Sequence, residues 1–355
     1  MAGVVRQPID VPSLERYLNQ HVPAIKTPLD LKQFGFGQSN PTYLLTAADG
    51  QKHVLRKKPP GKLLSKTAHR VEREYQIIHA LEQTDVPVLR PSACVKMTAL
   101  SAQLSTSWSF LMDGCLPTPP CQKWKDAART LAKFHRVDPK SIGMEKFGRA
   151  SGFYDRQIST FSVISKTQAK AVDVDTKIPV GEIPHFNDMI RFFSNKTTQP
   201  QDRATFVHGD YKIDNMVFHK TENRVIGVLD WEMATIGHPL SDLANLTSPY
   251  AHIGGSPDNS PFSPTTIPGL PTRDDVTRWY SEVAGWDPRT VLAWGDAFHG
   301  FRGSVIMQGI AARYALRQAS SARAGEYAKQ MKPFALTTWE KVKIMQDEAD
   351  QKARL

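Results

Sequence analysis

The 355-residue chain has no apolar run near the ~18–20 residues that a membrane-spanning helix requires. Cysteine is scarce. Cys94, Cys115 and Cys121 are odd in number and scattered, which matches neither a disulfide framework nor zinc-ligand spacing and predicts a reducing compartment. The opening Met1-Ala-Gly-Val-Val-Arg6 has none of the apolar stretch of a secretory signal. Acidic residues are the minority, 35 Asp and Glu against 45 Lys and Arg, which leaves a net charge of +10. No long basic run, zinc-finger spacing or RNP-like aromatic pattern accompanies that surplus, so neither nucleic acid nor a membrane is an expected partner. The charge attracts polyanionic ligands at long range and repels polycationic ones. With 40% hydrophobic and 23% charged residues, the composition is that of an ordinary globular protein.

No internal repeat or heptad array is present. Between Gln33 and Lys57 the pattern predicts a hairpin, with strands at Tyr43–Thr46 and His53–Arg56 and a turn at Ala48-Asp49-Gly50. A helix follows, in which Ala68, Val71, Tyr75, Ile78 and Leu81 recur at three- and four-residue steps. Glu74 falls inside that apolar stripe, and an acid on the buried side of a helix calls for a cation. Further helices are expected over about Trp124–His135, from the Thr272 cap to Gly285, over Val291–Ser320, and over Ala324–Glu348 with a break near Pro333. Short buried strands are expected at Thr205–Val207 and Arg224–Leu229. Five prolines between Ser256 and Thr272 mark a loop.

The chemistry resides in His208-Gly209-Asp210-Tyr211-Lys212-Ile213-Asp214-Asn215, followed by Val228-Leu229-Asp230-Trp231-Glu232. In phosphoryl transfer, one Asp accepts or orients the substrate hydroxyl and an Asn five residues later holds magnesium. A second Asp, at the end of the next strand, holds the metal that bridges the nucleotide phosphates. Asp210, Asn215 and Asp230 have that arrangement, with a hairpin turning through Lys220–Asn223 to bring Asn215 beside Asp230. His208 reads as an orienting core residue rather than a proton shuttle. Upstream, Gly35, Gly37, Ser39 and Asn40 form a glycine-rich turn before the first strand, suited to backbone approach to phosphates. Arg56 ends the second strand where kinases place a phosphate-binding Lys, and Glu74 is the inward acid that holds it; an ordinary structural ion pair is the plainer reading.

These motifs, with Gly237-His238-Pro239-Leu240-Ser241-Asp242-Leu243-Ala244, resemble the aminoglycoside-phosphotransferase-like kinases, a group that includes choline kinase. Gln38–Tyr43, Val54–Leu64 and Ile267–Arg273 are most similar to the kinase-like amino-terminal region of the long acyl-CoA dehydrogenase fusion proteins. The resemblance implies an α+β, two-lobed protein-kinase-like fold: a small β-rich N-lobe over 25–112 and a larger, mainly helical C-lobe over 113–348. It implies ATP and Mg2+ as cofactors, with Asp210 as catalytic base, Asn215 and Asp230 as metal ligands, and Gly35, Gly37, Ser39, Asn40, Arg56 and Glu74 as the ATP-binding set. Asp242 matches a position that supports the catalytic loop. The expected reaction is phosphorylation of a small-molecule hydroxyl, such as that of a 4-hydroxyacyl-CoA, with the cationic stretch Arg56–Lys62 as one contact. A nucleotide-binding pseudokinase or scaffold is the alternative. Arg56 in place of Lys, Gly209 in place of the Arg of H-R-D, and Trp-Glu after Asp230 depart from the protein-kinase pattern. The stretch from about Ala93 to Cys121 also departs, and no adenine-hinge residue is assigned there. The terminal Ala353-Arg354-Leu355 is similar to the S-K-L address read by the peroxisomal import receptor, which predicts a peroxisomal location, with the cytoplasm as the alternative.

Overall fold

The computed structural model describes residues 2–5, 8–34, 41–57, 71–89, 91–97, 100–105, 121–251, 262–319 and 323–354. In chain order the elements begin with β1 (Ala2–Gly3), α1 (Val11–His21), β2 (Asp30–Phe34), β3 (Thr42–Thr46), β4 (Lys52–Lys57), α2 (Val71–Leu81), β5 (Pro91–Met97), β6 (Leu100–Ser105) and α3 (Cys121–Arg136). They continue with α4 (Phe153–Ala169), α5 (Phe186–Phe193), β7 (Thr205–Val207), β8 (Met216–Phe218), β9 (Val225–Val228), β10 (Thr235–Gly237) and α6 (Leu240–Thr247). The last are α7 (Arg273–Ala284), α8 (Arg289–Ala315), α9 (Ala324–Ala328) and α10 (Met331–Arg354). Two compact units result. Met1–Glu145 joins with His208–Thr235, and Lys146–Val207 joins with Ile236–Leu355.

In the first unit, a sheet of order β1-β2-β3-β4-β6-β5 is antiparallel throughout. The expected hairpin is β3–β4, in register Tyr43↔Leu55 and Leu45↔His53, closed where Ala47 N–H donates to the Gln51 carbonyl. Alternation along the pleat sends Tyr43, Leu45 and Leu55 to one face, where they bury with Leu14 and Leu18 of α1. Arg56 follows Leu55 and so turns to the opposite face, which α2 covers by placing Glu74 within hydrogen-bonding reach. The buried stripe of α2 is Val71, Glu74, Ile77, Ile78 and Leu81. Tyr75 is half-buried at its margin, and Ala68 lies outside the described residues. Part of the atypical stretch, 91–105, supplies β5 and β6, while 106–120 lies outside the described residues.

In the second unit, β7 pairs with β10, an isolated bridge joins Val172 and Pro179, and the other described elements are helical. Thr272 and Asp275 form a reciprocal capping box on α7, and Gly285 ends that helix at φ 74°. The final helical stretch divides into α9 and α10 just before Pro333, which sits in the first turn of α10, where its missing N–H breaks no helical bond. Helices α4 and α5 were not expected, and they complete an aromatic core with α8. Among the described residues, no helix is long and apolar enough to cross a membrane. Leu355 lies outside them.

Candidate active site

The hairpin β8–β9 pairs Met216 with Val228 and turns between His219 and Arg224. One further bond, from Leu229 N–H to the Asn215 carbonyl at 2.8 Å, places the residue before Asp230 directly across from Asn215. The two expected metal ligands therefore share one end of the hairpin. Helix α3 braces this element: Tyr211 Oη donates to the Ala127 carbonyl at 2.9 Å, and Asp126 accepts from Val225 N–H at 2.6 Å. Trp231 packs edge-on to Phe134 at 5.0 Å and donates its indole N–H to the Val228 carbonyl.

Asn215 Nδ2 donates to the Asp210 carbonyl at 2.8 Å and to Asp210 Oδ2 at 2.9 Å. Lys212 Nζ reaches the same oxygen at 3.0 Å. His208 is fully buried; Nε2 lies 2.8 Å from the Leu229 carbonyl, and Nδ1 accepts from Asp210 N–H at 3.2 Å. A carbonyl can only accept, so the ring is neutral with its proton on Nε2. His208 is thus an orienting residue that ties the loop to the strand end. Gly209 has φ 86°, and an added Cβ would lie 2.8 Å from Met233 Cβ. That close approach explains why the bulky Arg of H-R-D has no counterpart here.

Arg56 closes the group. Its Nη1 donates to Glu74 Oε1 at 2.5 Å, while Nη2 lies 3.0 Å from Asp230 Oδ1 and 3.9 Å from Glu232 Oε2. Burial opposes the Arg56 charge, but Glu74, Asp230 and Glu232 outweigh it and hold the guanidinium above its ordinary pKa. Burial likewise drives the Glu74 carboxyl up, to about 7, with Arg56 pulling it down and Asp230 and Glu232 pushing it further up. Asp230 itself occupies the left-handed region, φ 65° and ψ 54°, which is unusual for a residue with a Cβ. The donor set fits a magnesium ion: Asn215 commits Nδ2 to Asp210, leaving Oδ1 as its acceptor, and Asp230 has Oδ2 beyond its bond to Arg56. Both are hard oxygens, one neutral and one anionic, as that cation prefers.

Asp210, Asn215, Asp230, Arg56 and Glu74 are therefore brought together within the first unit. Gly35, Gly37, Ser39 and Asn40 lie outside the described residues, as do positions 58–62 of the cationic stretch. Asp242 is fully buried on α6 of the second unit. Lys212 and Glu232 were missed as site residues. Their signal was position alone: each stands two residues after an aspartate of the motif, where a loop or turn keeps it near.

Comparison with known proteins matches residues 30–263 to the phosphotransferase enzyme family. Acyl-CoA dehydrogenase family member 11 of Rattus norvegicus is 32% identical over 98% of this chain and 45% of its own length. The chain thus spans less than half of that curated relative. A candidate aminoglycoside phosphotransferase from Ralstonia eutropha has a structure that superposes with a TM-score of 0.74 at 31% identity, covering 95% of this chain and 99% of that one. A streptomycin–ATP complex of an aminoglycoside phosphotransferase aligns over 85% of this chain and 91% of its own, with a TM-score of 0.55 at 14% identity, and so speaks to the fold alone. The architecture is the kinase-like phosphotransferase one, with a strand-containing amino-terminal region and a larger, mostly helical remainder.

Proposed function

Because the chain belongs to the phosphotransferase enzyme family, we propose that it transfers the γ-phosphoryl group of ATP to a hydroxyl of a small molecule. The observation that carries this reading is the convergence of Asp210, Asn215 and Asp230 at the base of one hairpin, with Arg56 reaching the same Asp230. Asp210 accepts the proton of the acceptor hydroxyl. Its carboxylate is held for that task by Asn215, and Lys212 puts a positive charge beside it, where negative charge develops on the transferring group. Asn215 and Asp230 would hold magnesium, which when bound neutralises the phosphate charge. Arg56, anchored on Glu74, presents a planar fork able to serve carboxylate and phosphate oxygens. The segment with Gly35, Gly37, Ser39 and Asn40 is assigned to the triphosphate by its motif.

The acceptor we favour is a 4-hydroxyacyl-CoA. The name of the rat relative supports an acyl-CoA setting, and a net charge of +10 suits a phosphate-bearing acceptor over an aminoglycoside polycation. Incubation with ATP, magnesium and a panel of hydroxyl compounds tests this directly, with ADP release and the mass of the product as readouts. ADP release that depends on the hydroxyacyl-CoA is expected. Phosphorylation of an aminoglycoside alone reverses the choice of acceptor, and nucleotide binding without turnover on any acceptor favours the pseudokinase.

A further inference from the structure

We propose that Arg56 is a movable counter-cation shared between Asp230 and Glu232, which shifts toward Glu232 when a divalent ion takes Asp230. This rests on the reading of Asp230 as a metal ligand. One nitrogen, Nη2, faces both acids, 3.0 Å from Asp230 Oδ1 and 3.9 Å from Glu232 Oε2. A shift of roughly 1 Å brings the second pair to charge-assisted hydrogen-bonding distance. The pivot is Glu74, whose side chain is only 3% exposed and whose Oε1 holds the other terminal nitrogen at 2.5 Å. Among the described residues, Arg56 Nε and Glu74 Oε2 make no hydrogen bond, so once Nη2 leaves Asp230 the guanidinium can swing about its bond to Glu74.

Charge gives the direction. Glu74, Asp230 and Glu232 all turn a carboxyl group toward Arg56. A divalent cation needs the Asp230 carboxylate that Arg56 contacts, and its charge repels the guanidinium from that oxygen. Glu232, 15% exposed and adjacent, accepts the displaced guanidinium without sending a buried charge into solvent. Glu232 is thereby a positioning residue: it acts on the metal site through Arg56.

The test is a double-mutant cycle on Mn2+ affinity, read by electron paramagnetic resonance of the full chain with ADP present. In the native background, Glu232→Gln should weaken Mn2+ binding about 10-fold, as loss of an outer-shell partner does. In a background carrying Arg56→Gln with Glu74→Gln, a neutral pair that avoids stranding a buried charge, the same substitution should change affinity by less than about 2-fold. Thermal unfolding of each variant checks that it is folded. An equal loss in both backgrounds makes Glu232 a direct ligand and overturns the handover, while leaving the metal at Asp230. Mn2+ binding that Asp230→Asn leaves unchanged overturns both.

Discussion

Around Arg56 the first unit buries charge, whereas around Phe298 the second buries aromatic rings. Arg56 and Glu74 are 18% and 3% exposed and are satisfied chiefly by each other and by Asp230. Removing such charges from water costs about what their attraction returns, so the cluster adds little to stability and is held in place by the sheet and α2. Phe298 sits 5.2 Å from both Trp294 and Phe193, and 4.8 Å from Tyr154, in stacked and edge-on contacts. Each such pair contributes about 0.5–1.5 kcal/mol beyond the area it buries. One cluster holds paired charges in place, and the other supplies folding free energy.

The sharpest way to separate the two is to damage each and compare activity with stability. Asp210→Asn removes the proposed proton acceptor yet keeps an oxygen for Asn215, so turnover should fall about 10²–10⁴-fold while thermal unfolding and nucleotide affinity stay near native values. Native turnover in that variant would remove Asp210 from its role. Phe298→Ala should do the opposite. It opens a cavity among rings from three helices and should cost about 3–5 kcal/mol in urea unfolding. A loss under 1 kcal/mol would mean that the rings repack and that the contrast between the units is weaker than drawn.

The same contrast governs what was legible in the sequence. The β3–β4 hairpin, α7 and the β8–β9 hairpin announced themselves through short apolar runs on either side of a turn, the Thr272 cap and the Gly285 stop, all local signals that the structure uses as such. Helices α4 and α5, which carry much of the aromatic core, start at Gly152 and His185 in left-handed conformations with no side-chain cap. Neither start has a conventional cap, and what stabilises these helices is burial against α8, which lies far along the chain. By contrast, α1 starts on a local signal, Asp10 accepting from Ser13 N–H with Pro12 in the first turn. At the site, motif spacing located Asp210, Asn215 and Asp230. That a single guanidinium joins Glu74, Asp230 and Glu232 depends on a 174-residue separation that no local pattern encodes.

The buried charge of the first unit should also leave a pH signature that the aromatic core lacks. Burial raises the Glu74 carboxyl from an ordinary 4.5 to about 7, the attraction of Arg56 only partly offsetting it. Between those values the folded protein keeps a proton that the unfolded chain has released. The corresponding stability is fully present below about 4.5 and is lost as pH rises to about 7, after which this group contributes no further slope. Glu74→Gln has no proton to lose and still offers an oxygen to Arg56 Nη1. Urea unfolding at pH 5 and pH 7.5 should therefore show the native chain losing about 2 kcal/mol more than Glu74→Gln across that window. Parallel curves would mean that Arg56 keeps Glu74 ionised throughout. The ion pair would then outweigh burial, and the first unit would draw stability from its charges after all.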